Sequence, residues 1–204
     1  LCPYHKNFIG AIDSCIIPPA AFAVTTSTIC DGNINTFRHL SEKHQVPSFL
    51  IDVPQYNTPD AKAYVTEQLK ELIAMLEDTF HQKFQEEELV PILQRENASK
   101  ACYERCLKNL RTHHYPSTLT MQMYMLFASH MNIGTPEILH FYQQMEAETA
   151  AAPEFHGTNI LWVHLLPYYQ ETLKEYFNLT DDYQIQAIEM NLDYRAPLDT
   201  EHPL

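Results

Sequence analysis

The sequence predicts an α/β fold in three parts: a partial parallel-sheet domain, a largely helical middle segment and the beginning of a second α/β domain. Three observations predict it. Short apolar, β-branched runs alternate with helical patterns in residues 1–57. Helical spacing of apolar residues then dominates residues 58–152, and strand and helix patterns alternate again in residues 153–204. We therefore expect domain limits at 1–57, 58–152 and 153–204.

The first part begins with a predicted helix after Cys2. The run "AFAVTTST" predicts a buried strand, residues 35–44 a helix, and "PSFLIDV" a second strand. This alternation is typical of Rossmann- and flavodoxin-like folds, in which ligands bind at the carboxyl ends of the parallel strands. The residues "CDGN", starting at Cys30, occupy that edge, so the sequence places a candidate site there.

The middle part begins at Thr58-Pro59, which supply a helix cap and a proline at the first helical position. A second helical pattern contains Leu89 and Leu93, and a third covers residues 99–111. "TLTMQMYMLFASHM" is the fourth, before Gly134, and a fifth starts at Thr135-Pro136. In the last part, "NILWVHLLPYY" predicts a strand, "QETLKEYFNL" a helix and "YQIQAIEMNLD" another strand.

Composition excludes several classes of protein. The chain has 204 residues, 45% of them hydrophobic, with 13 Lys and Arg against 26 Asp and Glu. The basic residues are scattered, which argues against a nucleic-acid surface. No segment reaches the roughly 18 apolar residues of a membrane span. With no basic and apolar leader, a cytoplasmic location is expected. The leucine at position 1 and the loop-like end suggest a piece of a longer polypeptide.

Five cysteines with irregular spacing predict reduced thiols rather than a disulfide framework. Cys2 and Cys30 lie at the ends of predicted elements, where they are either ligands to a soft metal or iron-sulfur cluster or small packing residues. Cys102 and Cys106 share one helical face without zinc-type partners and are predicted core residues. Cys15 is ambiguous, since it lies between the two candidate ligands but in an apolar context that favours packing.

Other candidate residues are fewer. His164 follows Trp162 on a predicted strand and is predicted as a hydrogen-bonded core histidine rather than a base. The chain contains only four glycines and none of the glycine-rich phosphate or nucleophile-elbow motifs. An enzyme that relies on glycine-rich phosphate contacts is therefore excluded, and any catalysis would need a metal or cofactor.

Four segments carry a family resemblance: "CPYHKNFIGAID", "TTSTICDGNINTFRHLSEKHQVPSFLIDVP", "HMNIGTPEILHFYQQM" and "WVHLLPYYQETLKEYFN". Together they resemble the 2-hydroxyacyl-CoA dehydratase family, which includes benzoyl-CoA reductase subunits and double-cubane cluster proteins. The resemblance covers nearly the whole chain. It implies that Cys2 and Cys30 are two of three cysteine ligands of a [4Fe-4S] cluster, with the third ligand beyond the end of this chain. Asp31, Asn33 and His5 flank the implied ligands and are candidates to hydrogen-bond the cluster sulfides or bound oxygen.

The resemblance also implies an activity and partners. The activity is the removal of water from a 2-hydroxyacyl-CoA through a ketyl radical, which acidifies an otherwise weakly acidic β-proton. The implied partners are the acyl-CoA substrate, a related dehydratase subunit in a heterodimer and an ATP-dependent iron-sulfur activator protein. Tyr168, Tyr169 and Gln170 are candidates for the CoA site.

Two alternatives stay open. The chain could instead belong to a benzoyl-CoA-reductase-like or double-cubane cluster reductase. The substrate that oxidises the reduced cluster would distinguish such a reductase from the dehydratase. It could also be a cluster-free accessory or interaction protein that keeps the fold, which would contain no iron.

Overall fold

The computed structural model describes residues 2–28, 30–115, 119–164, 181–192 and 195–203. It divides the chain into two compact units, of which the first ends at Phe84 and the second begins at Gln85. Both combine helices with a short parallel sheet, so the predicted α/β class is confirmed. No helix among the described residues is long and apolar enough to cross a membrane. The division into three domains stays a prediction.

The first unit has the predicted alternation of helices and strands. Its elements are α1 (Pro3–Asp13), β1 (Ala23–Thr26), α2 (Asp31–His44), β2 (Ser48–Ile51) and α3 (Pro59–Phe80). β1 and β2 pair in parallel, with Ala23 opposite Ser48. Ile12, Ala23 and Leu40 form the buried core between the helices and the strands. α2 begins four residues earlier than predicted, so "DGN" is its first turn rather than a loop.

The start of α3 and the end of β2 are fixed by side-chain hydrogen bonds. The Thr58 hydroxyl accepts the N–H of Ala61 at 3.1 Å, as the predicted cap requires. The buried Gln68 accepts the N–H of Asp52 at 2.7 Å and donates to its carbonyl at 2.8 Å. α3 is therefore attached to the chain just beyond the carboxyl end of β2.

The second unit contains α4 (Glu86–Asn109), α5 (Leu119–Met131), α6 (Pro136–Ala151), β3 (Thr158–Trp162) and β4 (Tyr183–Ile188). A 3-10 turn, Glu189–Asn191, follows β4. β3 and β4 are parallel, with Thr158 opposite Tyr183 and an irregularity between Ile160 and Leu161. Strands are confirmed at both predicted places, but each ends earlier than predicted, β3 at Trp162 and β4 at Ile188. The helix predicted at 170–179 lies outside the described residues.

α4 corrects one prediction of the sequence. The two helical patterns before and after residue 97 are one continuous helix. The intervening residues contain no glycine or proline to end it, and the Asn97 side chain bonds outward, to the backbone of Leu198, rather than to its own turn. α4 packs against α6 through a buried core that includes Cys106, Leu107 and Tyr142.

Gln184 connects α4 to the second sheet. It is 2% exposed. Its amide nitrogen donates to the carbonyls of Leu110 and His113 at 2.8 and 3.0 Å and to Asn159 Oδ1 at 2.7 Å. Its oxygen accepts the N–H of Tyr115 at 3.1 Å. One side chain thus satisfies the backbone groups that follow α4.

We expect Gln184→Met to lower the free energy of unfolding by about 3 kcal/mol, because it leaves several buried polar groups without partners. Gln186→Met is the matched control. Gln186 is half-buried and makes one bond, to the Leu107 carbonyl at 3.0 Å, so its loss should cost about 1 kcal/mol. Urea denaturation measures both, and equal costs would contradict the assignment of Gln184.

An ion pair also joins α4 to α6. The Arg105 guanidinium binds the Glu146 carboxylate through two nitrogens, with Nη2 2.9 Å from Oε2. The hydrogen bond from Arg105 holds the pKa of Glu146 below its ordinary value of 4.5. A lowered folded-state pKa means that the pair stabilises the fold above the unfolded-state pKa, and that this stability is lost as the pH falls through the folded-state value.

We expect Glu146→Gln to be less stable than the native chain at pH 7 and to show a weaker loss of stability below about pH 4.5. The difference in the free energy of unfolding between the native chain and Glu146→Gln should therefore become smaller as the pH falls toward 3. Urea midpoints measured across this range check the sign. A constant difference would show that Glu146 does not act through its charge.

Candidate cysteine site

The two predicted ligands occupy equivalent positions in the first unit. Cys2 is the N-cap residue of α1, and Cys30 is the N-cap residue of α2. All five cysteines of the chain are free, and Cys2, Cys15 and Cys30 are exposed. The Cys30 side chain accepts a backbone N–H of its helix, whereas the Cys2 side chain makes no capping hydrogen bond. The prediction that they mark the ends of elements is confirmed; ligation stays a prediction.

Cys30 is held by contacts to its own helix and to α1. The N–H of Gly32 donates to Cys30 Sγ at 3.3 Å, and the N–H of Asn33 donates to the Cys30 carbonyl at 2.9 Å. From α1, the Nε2 atom of His5 lies 3.5 Å from the same sulfur. The thiol therefore faces solvent while its orientation is set from two sides.

His5 is 4% exposed, and both of its ring nitrogens have partners. Nδ1 lies 2.9 Å from the hydroxyl of Thr36, which is 1% exposed. That hydroxyl donates its one proton to the Gly32 carbonyl at 2.8 Å. Nδ1 of His5 is then the donor to Thr36, and Nε2 faces the Cys30 sulfur.

Gly32 allows this close approach. A Cβ atom at Gly32 would collide with the Nε2 and Cδ2 atoms of His5. The helical backbone here has no need of glycine for its dihedral angles, so the requirement is steric. The imidazole lies directly against the first turn of α2.

Cys2 belongs to the same arrangement through α1. It precedes His5 by three residues, and its carbonyl accepts the N–H of Lys6 at 3.2 Å, which begins the helix. The first turns of α1 and α2 thus carry one exposed thiol each and meet at His5. Soft sulfur donors suit an iron-sulfur cluster, and two of them fit the implied ligand set. Within the described ranges, no group of three or more His, Cys, Asp or Glu residues could hold a metal ion.

The other cysteines separate into two kinds. Cys102 and Cys106 are buried between α4 and α6, which confirms the prediction that they are core residues. Burial raises the pKa of the Cys106 thiol to about 11 and also raises the pKa of Cys102. The packing prediction for Cys15 is wrong. Cys15 lies in the turn after α1 with a left-handed φ of 55° and is exposed.

His164 also differs from its prediction. It lies two residues beyond the end of β3, is exposed and has a left-handed φ of 71°. Its backbone N–H donates to Glu189 Oε2 at 2.9 Å. The core prediction fails because the strand ends before this residue. The CoA candidates Tyr168, Tyr169 and Gln170 lie outside the described residues.

Comparison with protein families decides the membership of the chain. The model of the family "2-hydroxyglutaryl-CoA dehydratase, D-component" matches residues 1–203. The chain belongs to this family. The predicted resemblance is confirmed, and the protein is a component of the 2-hydroxyacyl-CoA dehydratase type. No curated protein matches the chain.

Sequence reasoning missed most of the contacts around Cys30. Thr36 was not predicted to take part, and Gly32 only as a member of the "CDGN" run, although their spacing of four residues places them on one face of α2. The contacts of the His5 nitrogens with Thr36 and Cys30 were not predicted either, and its hydrogen bonds to cluster sulfides or bound oxygen stay a prediction. Asp31 is exposed in the first turn of α2.

We expect Gly32→Ala to destabilise the first unit by about 2 kcal/mol, because the added methyl displaces the buried His5 ring. Gly10→Ala is the control. Gly10 is an exposed residue of α1 with open space around its Cβ position. Alanine there should therefore stabilise the helix by about 0.5–1 kcal/mol. Opposite signs in urea denaturation support the steric role of Gly32, and a stabilising Gly32→Ala would refute it.

Proposed function

We propose that the protein is a component of an iron-sulfur dehydratase that removes water from a 2-hydroxyacyl-CoA. Cys2 and Cys30 are the two ligands that this chain contributes to a [4Fe-4S] cluster. Family membership over residues 1–203 supports the dehydratase part of the proposal. The cluster part is supported by the two exposed thiols at the starts of α1 and α2.

The Cys30 environment is the observation that carries the proposal. Free cysteine is usually buried, whereas this thiol is exposed at a helix N-terminus. One backbone N–H and one buried imidazole contact its sulfur. A backbone N–H donated to ligand sulfur, as Gly32 provides for Cys30, is among the features that tune iron-sulfur sites. A thiol that served only packing would need neither the exposure nor these contacts.

The residues of the chain perform three tasks in this function. Cys2 and Cys30 present sulfur at one edge of the first sheet, where open α/β folds bind ligands. The Gly32 N–H orients the Cys30 sulfur. When bound, a cluster would supply an electron and a Lewis-acidic iron to the acyl thioester, which is the chemistry of the ketyl-radical route.

The proposal includes three partners that the family implies. They are the acyl-CoA substrate, a related dehydratase subunit and an ATP-dependent iron-sulfur activator that delivers the electron. The absence of glycine-rich phosphate motifs from the sequence agrees with ATP hydrolysis on a separate protein. The resemblance implies a third cysteine ligand besides Cys2 and Cys30.

The first test is iron and acid-labile sulfide per chain in the intact protein, purified without oxygen. About four of each are expected. Cys30→Ser should abolish them, because it removes a ligand. Cys15→Ser is the matched control, since Cys15 is also exposed and free but lies in the turn after α1. It should keep the full cluster.

Negligible iron in the native protein after anaerobic reconstitution would reject the cluster and favour an accessory role. Where the cluster is present, the substrate class follows from oxidation of the reduced protein. Oxidation by a 2-hydroxyacyl-CoA or its enoyl product supports the dehydratase. Oxidation by benzoyl-CoA alone would instead assign a reductase of the same family.

A further inference from the structure

We propose that His5 is a positioning residue for the Cys30 ligand, and that it fixes the start of α1 relative to the start of α2. The inference rests on the proposed function, in which Cys2 and Cys30 bind one cluster. Two ligands on different helices can share a cluster only if the helix starts keep a fixed separation. His5 is the contact that supplies this constraint.

Both ring nitrogens of His5 contact residues at the beginning of α2. One nitrogen reaches the Thr36 hydroxyl at 2.9 Å, and the other lies 3.5 Å from Cys30 Sγ. The Thr36 hydroxyl donates to the Gly32 carbonyl at 2.8 Å, and the Gly32 N–H donates to Cys30 Sγ at 3.3 Å. These contacts form a closed circuit of four residues around the ligand sulfur.

Packing holds the imidazole in this circuit. The ring is 4% exposed and lies so close to Gly32 that no side chain fits there. On its other side, the Tyr4 ring contacts it edge-on, with centroids 5.2 Å apart and planes at 81°. A buried group with both nitrogens bonded has one orientation, so α1 cannot rotate about its axis without breaking the circuit.

A second histidine provides a natural comparison. His39 on α2 binds the carboxylate of Asp13, the last residue of α1, at 2.9 Å. This pair joins the same two helices through one contact, but it is solvent-exposed, with 37% and 50% of the side chains accessible. An exposed pair contributes little to structure. His39 therefore tests whether any histidine between α1 and α2 would suffice.

Four variants separate these roles. Thr36→Val removes one hydroxyl with little change of shape, whereas Thr36→Ser keeps the hydroxyl. His5→Phe keeps a buried ring but removes both nitrogens. His39→Gln alters the exposed pair. His5→Phe is the variant more prone to misfold. The comparison of Thr36→Val with Thr36→Ser decides the test if His5→Phe does not fold. Far-UV circular dichroism verifies that each variant is folded.

Two measurements are made on each variant. The first is hydrogen exchange of the Gly32 amide in the metal-free protein, which reports the bond to Cys30 directly. We expect about tenfold faster exchange in Thr36→Val and His5→Phe, and native rates in Thr36→Ser and His39→Gln. The second is the electron paramagnetic resonance spectrum of the reduced, reconstituted protein, together with the rate of iron loss to a chelator.

In the cluster-loaded protein, we expect an altered spectrum and about tenfold faster iron loss for Thr36→Val and His5→Phe. Thr36→Ser should restore the native spectrum, which a general loss of stability would not explain. Native spectra, native iron loss and native exchange in both disruptive variants would overturn the positioning role while leaving the cluster proposal intact.

If the native protein binds no cluster, the cluster proposal is wrong. Hydrogen exchange of the Gly32 amide still tests the positioning role of His5. Faster Gly32 exchange confined to the two disruptive variants would support control of the Cys30 thiol by His5. Unchanged exchange would overturn it.

Discussion

The arrangement around Cys30 depends on one buried side chain, the imidazole of His5. It joins helices whose first turns each begin with a cysteine, and it does so through contacts to Thr36, Gly32 and the sulfur itself. A buried imidazole with both nitrogens paired is costly to disrupt, because each broken bond leaves a polar atom without water. The position of the Cys30 sulfur thus follows from the core of the first unit rather than from the rotamer preferences of an exposed thiol.

The cysteines of the chain show how environment separates chemistry from packing. Cys102 and Cys106 lie between α4 and α6, where burial raises the pKa of both thiols and keeps them protonated near neutral pH. Cys2 and Cys30 are exposed at helix N-termini. The same residue type therefore fills space in the core of the second unit and presents exposed sulfur atoms in the first.

Each unit, taken by itself, uses a parallel strand pair to place polar groups at one edge. In the first, α2 begins at that edge with Cys30, and Asp52 follows β2 under the control of Gln68. In the second, the His164 N–H is bound by Glu189 just beyond β3 and β4. Parallel pairing produces this result because it brings the carboxyl ends of both strands to the same side. Membership in the 2-hydroxyglutaryl-CoA dehydratase D-component family gives the first edge its proposed chemistry.

The sequence by itself determined the α/β class, the cap at Thr58, the core role of Cys102 and the family. It also determined the order and type of the described elements apart from α4, which it divided in two. These follow from local periodicity, capping chemistry and short motifs, which act between residues close in the chain. Only the tertiary structure decided that His5 meets Cys30, because a separation of 25 positions leaves no periodic signal. It also decided the exposure of Cys15 and His164, since both lie just past the ends of elements, where apolar neighbours in sequence are no guide to burial.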